Sequence, residues 1–281
     1  MTEILDRSGT SITVPTHELV TAARELSQAG RATTALALLD GVRATDPADR
    51  AHIALAAADV EMQRAWFTDF TGVPARLARA EAMAAALDPD ATWDLAFLRL
   101  RHDYATLILP GGHFTPGPEG KDPAALTELR HRASDLRDTA PDGVRRGWVH
   151  HYLGLIADNL FGEPEAAFPA FTAALEAGDG HDDLLTREAL RHLGDHAHTT
   201  GDHDLALTHW RRAVSVGARG GAVAGTLSNL ILLVLLARDM GDEPGSRALA
   251  REVARWADAI GAPRLAETAS TFLPEGDPER R

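Results

Sequence analysis

Residues 181–218 read HDDLLTREALRHLGDHAHTTGDHDLALTHWRRAVSVGA, and their pattern decides the fold. Gly201 stands between two stretches whose apolar residues recur at helical spacing, Leu185, Ala189 and Leu193 before it and Ala206, Trp210 and Ala213 after it. A glycine there marks a helix that must end while the chain reverses, where a positive φ penalises any residue with a Cβ. The same arrangement recurs around Gly30, Gly72, Gly162 and Gly241. Gly162, Gly201 and Gly241 are 39 and 40 residues apart, Gly30 and Gly72 are 42 apart, and the 90 residues from Gly72 to Gly162 fit two units if one carries an insertion. A repeat of this length signals stacked helix pairs, each needing its neighbours to bury an apolar face.

The second half of each unit keeps one stripe. Five residues after the glycine stand Ala35, Ala167, Ala206 and Ser246, with Leu77 the exception; nine after it come Leu39, Phe171, Trp210 and Ala250; twelve after it, Val42, Ala84, Ala174, Ala213 and Val253. Small residues at the first of these positions let two helices cross closely. Asp46-Pro47 and Asp88-Pro89 punctuate the unit boundaries.

This register resembles the tetratricopeptide repeat family, most fully at Leu190, Leu193, Gly194, Gly201, Ala206, Trp210 and Ala213, and in the first unit at Leu19, Gly30, Ala35, Leu39 and Pro47. Units near 40 residues are more like the long repeats of bacterial signal-responsive regulators. Departures are Arg64 where the family has Leu, and a third unit without a marker glycine. The resemblance spans Thr16 to Gly261 and implies an all-α, right-handed α-solenoid of about six antiparallel helix hairpins. These begin near Thr16, Ala48, Asp90, Pro141, His181 and Gly220, with a short capping helix over Pro263 to Phe272. Residues 1–15 are expected as an N-terminal arm, with Ser11 to Val14 extended; 16–273 as a single repeat domain; and 274–281 as a disordered tail. PGGHFTPGPEGKDP, residues 110–123, interrupts the third hairpin, too rich in Pro and Gly for helix. It reads either as a mobile insertion or as a lid carrying His113 and Phe114.

Composition narrows the function classes. Without cysteine there is no disulfide framework and no thiolate chemistry, and a reducing, cytoplasmic setting is expected. The longest apolar run, Leu230 to Ala237, falls far short of the roughly 20 residues that span a bilayer. A net charge of −13 argues against a nucleic-acid partner, whose phosphates call for Lys and Arg. Lys121 is the sole lysine beside 27 arginines, a bias of GC-rich bacterial genomes.

In the family it resembles, the first helix of each hairpin lines a concave groove, with exposed positions about 13, 10, 6, 3 and 2 residues before the turn glycine. Counting back places Arg24 in the first unit and Trp66, Asp69 and Phe70 in the second. The fourth unit contributes Tyr152 and Asn159, the fifth Arg191, Asp195 and His198, and the sixth Arg238. The third helix offers Arg99, Asp103 and Tyr104, and the loop adds Phe114. Aromatic anchors beside guanidinium groups are the combination enriched in binding hot spots, although each of these residues has a plain packing role open to it.

Eleven of the 13 histidines lie between His102 and His209. His192 and His196, at i and i+4, share a helix face with Glu188 one turn earlier, so a metal site on His192 and His196 is the alternative to none. Against it, Leu193 stands where a metalloprotease needs its Glu, and His150 and His151, adjacent on a helix, diverge by about 100°. No serine elbow, phosphate loop or dinucleotide fingerprint is present, and no catalytic residue or cofactor is assigned.

The expected function is a non-catalytic binding protein that holds a protein segment or peptide in its groove, as an adaptor or regulatory partner. The alternatives are a small-molecule or peptide sensor and an enzyme with a pocket enclosed by the array. An adaptor calls for an open polar groove, a sensor or enzyme for a pocket closed by the 110–123 loop. Neither direct nucleic-acid binding nor membrane association is expected.

Overall fold

The chain is described by a computed structural model over residues 2–5 and 11–275, with side chains from 13 onward. Its turns follow from local chemistry. Gly30, Gly162, Gly201 and Gly241 adopt φ of 76°, 68°, 84° and 86°, the left-handed region that a helix reversal uses. At two of them the next residue is Asp, and Asp202 and Asp242 accept hydrogen bonds from the Leu205 and Gly245 amides, so one dipeptide closes a helix and caps the next. A second glycine series, Gly180, Gly221 and Gly261, makes the turns between hairpins with φ of 77°, 70° and 69°. Asp46 and Asp122 cap helices that carry Pro at the first position, where its missing N–H costs nothing.

Contacts divide the chain into two compact units, Met1–Thr106 and Leu107–Arg281. The first holds α1 (Thr16–Gln28) with α2 (Ala32–Asp40), α3 (Pro47–Ala65) with α4 (Val73–Glu81), and most of α5 (Pro89–Ile108). It also holds a small antiparallel sheet in the order β2-β1-β3, built from β1 (Thr2–Leu5), β2 (Ser11–Val14) and β3 (Arg43–Ala44), in which Ile4 pairs with Ile12 and Thr2 with Ala44. Leu19, Ala23, Ala35, Leu39, Ile53 and Val60 make one buried cluster, and Leu55, Met62, Leu77, Leu95 and Leu98 belong to another.

The second unit contains α6 (Pro123–Asp138) and three hairpins: α7 (Gly143–Leu155) with α8 (Pro164–Gly178), α9 (Asp183–Thr199) with α10 (His203–Arg219), and α11 (Val223–Asp239) with α12 (Glu243–Ala259). Then comes α13 (Pro263–Ser270), the expected capping helix. The small residues expected at the crossings, Ala167, Ala206 and Ser246, are all buried, as are Phe171, Trp210 and Ala250 behind them. Close approach needs glycine at two places. A Cβ on Gly154 would come within 2.6 Å of the Phe171 ring, and one on Gly194 would run into the Trp210 indole. In the apolar run of α11, Val234 and Leu236 are buried outright and Leu235 only partly.

Gly72 departs from its expected role. Its φ is −79°, so it is no left-handed turn. Its missing Cβ instead leaves room for the buried Glu61, which takes a two-pronged hydrogen bond from Arg64 at 2.6 and 3.1 Å. The arginine in place of the expected leucine is thus half of a paired buried charge. The expected tail lies outside the described residues from 276 onward, while Leu273 just before it is buried.

Candidate functional site

In the second unit the first helices of three consecutive hairpins, α7, α9 and α11, bring together a polar cluster. His151 comes from α7, and Arg187, Glu188, Arg191, His192 and Asp195 come from α9. His151 and His192 face each other with ring centroids 5.3 Å apart, and the Phe171 ring stacks on His192 at 4.6 Å. Trp148 meets His151 edge-on at 5.8 Å. His192 Nδ1 lies 3.4 Å from Asp195 Oδ2, and Arg191 Nη1 lies 3.5 Å from His192 Nε2.

Arg187 is only 7% exposed, and glycines make room for it: a Cβ on Gly217 would stand 2.6 Å from its Cδ, and one on Gly225 2.5 Å from its Cζ. These are the ends of the glycine-containing run that enters α11. From there Arg187 reaches Glu188 with an Nη hydrogen bond. Thr226 follows Gly225, and Asn229, one turn on, is 0% exposed.

The charges in this cluster are set by position. Burial works to raise the Glu188 carboxyl, but Arg187, Arg191 and the two imidazoles outweigh it and hold the pKa down to about 2. Burial, reinforced by His192, pushes His151 down to about 3. Asp195 is also lowered, as its contact with His192 and the charge of Arg191 overcome burial. At neutral pH Glu188 is therefore anionic and His151 neutral.

Satisfaction of hydrogen bonds singles the cluster out. Among the described residues, the buried side-chain atoms without a partner are His151 Nδ1, Arg187 Nε, Arg191 Nε, Thr226 Oγ1 and both amide atoms of Asn229. All belong to α7, α9 or α11. Buried polar groups are almost always paired, so six orphans on three successive first helices need an explanation, and an absent ligand is one.

Of the expected groove residues in this unit, Arg191 and Asp195 fall in the cluster. Tyr152 lies beside it, buried against His151 at 5.6 Å. His198 is instead held by Asp239 at 3.0 Å and stacks on His203, while Arg238 lies over the Phe272 ring at 4.8 Å. His196 turns away from His192 to pack on Phe168 at 4.8 Å, so the pair considered for a metal is split. Phe114 projects from the loop, 62% exposed. The loop itself is tied down: Lys121 Nζ donates to the Thr115 and Gly117 carbonyls at 2.7 and 2.5 Å, and the Gly117 amide donates to the Asn159 carbonyl at 2.8 Å. Its other end meets the capping helix, since a Cβ on Gly112 would stand 3.6 Å from Arg264 Nη2.

His151, Arg187 and Asn229 were not among the groove residues expected from sequence, whereas Glu188, 13 residues before Gly201, stands at one of the counted positions. The reason is clearest for His151. Residues Ile156–Phe161 form a π-turn, which inserts one residue into a helix, so counting back from Gly162 is one residue out along α7. Corrected for it, His151 takes the position Arg191 occupies in α9, and Tyr152 takes the buried position of His192.

In the first unit Asp59 of α3 gathers Arg101 of α5 at 2.6 Å and Arg24 of α1 at 4.0 Å. Trp66 packs edge-on against Phe70 at 5.2 Å and lies 6.2 Å from the buried Tyr104. Asp69 accepts from the Thr71 amide, and Arg99 pairs with Glu81 and Asp103. These expected residues are therefore engaged within the first unit.

No protein-family model matches the sequence, and neither does any curated protein. Solved structures do match. A Rap protein complexed with competence and sporulation factor has a TM-score of 0.59 at 9% identity, covering 92% of this chain and 70% of that one. A signal transduction ATPase with numerous domains from Pyrococcus horikoshii, described as having a tetratricopeptide repeat sensor, has a TM-score of 0.48 at 13% identity; 92% of this chain covers 38% of it. The fold is thus an all-α, tetratricopeptide-like helical-repeat solenoid. Among the described residues no helix is long and apolar enough to cross a membrane.

Proposed function

We infer that the protein binds a segment of another protein or a peptide along α7, α9 and α11, and that it acts as an adaptor or regulatory partner. The observation that carries this reading is the set of unpaired buried atoms on those helices, from His151 to Asn229. An extended peptide offers alternating N–H and C=O groups, the complement of amide, guanidinium and imidazole side chains, and its cost of ordering is offset by pairing groups that are otherwise orphaned. The Rap protein in the comparison is complexed with competence and sporulation factor, which agrees with this use of the fold. Arg24, Trp66, Asp69, Phe70, Arg99, Asp103 and Tyr104 are then structural members of the first unit or secondary contacts.

The test is selection from a displayed library of unstructured peptides on the purified chain, repeated with Asn229→Leu and with Arg191→Ala, Asp195→Ala. A defined peptide class enriched on the wild type and lost on both variants is the expected result. No enrichment, or equal enrichment on the variants, overturns the reading.

A second reading, a sensor for a small molecule or short peptide, is favoured by the Pro110–Pro123 loop, whose Gly117 amide donates to the Asn159 carbonyl in the π-turn that follows α7. Native mass spectrometry of protein isolated from its source separates the two: a retained small ligand supports the sensor, and its absence together with peptide enrichment supports the adaptor.

A further inference from the structure

The six orphaned atoms do not all make the same demand. Asn229 and Thr226 ask for hydrogen-bonding partners, whereas at the α7 end three metal-ligating groups converge. His151, Glu188 and His192 each offer one ligand atom, and these atoms lie within 4.8 Å of one another. We propose that His151, Glu188 and His192 form a binding site for a divalent transition-metal ion of the zinc class, held by two imidazoles and one carboxylate with its remaining positions open.

Four observations carry it. Glu188 and His192 are i and i+4 on α9, so one helix face delivers both, and the packing of α7 on the hairpin delivers the third ligand. His151 Nδ1 is buried with no hydrogen-bond partner, so a ligand in the cluster would satisfy a nitrogen that is otherwise orphaned. Asp195 lies beside His192 Nδ1 at 3.4 Å, the carboxylate–histidine arrangement that fixes the ring tautomer and leaves Nε2 to coordinate. Glu188 retains 22% exposure of its side chain, which leaves an entry path and room for water or a donor atom from a partner. Ligands on a zinc-class ion at about 2.0–2.2 Å stand closer together than these atoms do, so closure by roughly 1 Å accompanies binding.

Two cations bear on the site, and their placement differs. Arg187 is pinned on the side of Gly217 and Gly225, where it bonds Glu188 from behind. Arg191 Nη1, 3.5 Å from His192 Nε2, occupies the space the ion would enter and must swing out. Arg191 is therefore a competitor of the ion, and its removal should tighten binding, which distinguishes this site from surface histidines that merely gather metal.

The experiment uses the full chain stripped with chelator and titrated with Zn2+ by calorimetry and with Co2+ by absorption. Metal affinity is read without any peptide, so its outcome is independent of the groove reading. One equivalent should bind the wild type. Glu188→Gln and His192→Ala should abolish stoichiometric binding, Asp195→Asn should weaken it by about 10–100-fold, Arg191→Ala should strengthen it, and His196→Ala should leave it unchanged. X-ray absorption on the wild-type zinc complex should count two imidazoles, a readout that stands even if a variant fails to fold. No stoichiometric uptake by the wild type, an imidazole count other than two, or full retention of binding in Glu188→Gln overturns the proposal.

Discussion

The Trp210 indole N–H donates to the main-chain carbonyl of Arg191 at 3.0 Å, and the same ring fills the space where Gly194 has no Cβ. One aromatic residue of α10 thus sets how closely α10 lies on α9, and with it where Arg191, His192 and Asp195 stand. Gly194→Ala forces a methyl group into the indole, an overpacking that costs about 1–3 kcal/mol. Trp210→Phe keeps the apolar volume in part and loses the hydrogen bond, at about 1 kcal/mol plus the cavity left by the smaller ring. Urea unfolding followed by far-ultraviolet circular dichroism should give lower midpoints for both, with Gly194→Ala also weakening any ligand of the α9 cluster.

Lys121 holds the loop from within. Its ammonium bonds the Thr115 and Gly117 carbonyls, while the Gly117 amide rests on the Asn159 carbonyl in the π-turn. Lys121→Met leaves two carbonyls without their charged donor and frees the loop locally, by about 1–3 kcal/mol. Amide exchange at Gly117 should then accelerate by roughly 10–100-fold, while exchange in the core of α9 stays as it was. Unchanged exchange at Gly117 would show that the lysine does not restrain the loop.

The hairpins were legible because their turns depend on one local property. Gly30, Gly162, Gly201 and Gly241 all need positive φ, so the period shows in the sequence as glycine. Gly72 carried the same letter for another reason, room for Glu61, and only packing distinguishes the two uses. Arg191 and Asp195 could be placed in the cluster because α9 runs undisturbed into Gly201. His151 could not, because the π-turn before Gly162 displaces the count by one and no residue in Ile156–Phe161 announces it. Arg187 and Asn229 were hidden for a different reason: burial of a polar residue becomes informative only once its partners, or their absence, can be seen in three dimensions.

Acid should find the cluster early. His151 in the folded chain has its pKa lowered from 6.5 to about 3, so the unfolded chain takes up a proton at this residue first as pH falls. Its contribution to stability is full above 6.5 and is lost between there and about 3. Glu188, lowered from 4.5 to about 2, adds a second loss between those values. Each group steepens the fall by up to about 1.4 kcal/mol per pH unit inside its window. His151→Phe removes the first window, so its urea midpoint should decline less than that of the wild type between pH 6.5 and 4.5. Parallel declines would mean that His151 titrates normally in the folded protein.

Asn229 brings stability and binding into opposition. It is 0% exposed and neither its amide nitrogen nor its amide oxygen has a partner, yet it sits one turn beyond Gly225 on the helix that faces Arg187. A buried amide left unpaired costs about 1–3 kcal/mol, and a leucine, with the same branched skeleton of side-chain heavy atoms, makes no such demand. Asn229→Leu should therefore raise the melting temperature of the unliganded protein, by about 2–4 °C for each kcal/mol recovered in a chain of this size. The same substitution removes an unpaired amide able both to donate to and accept from a peptide backbone, so enrichment of peptides should vanish as stability rises. A residue kept for packing alone would behave the other way, with stability falling on substitution and binding following it. Calorimetric melting of the two proteins with and without selected peptide decides between them, because only a ligand-pairing asparagine gives a wild type that starts lower and gains more.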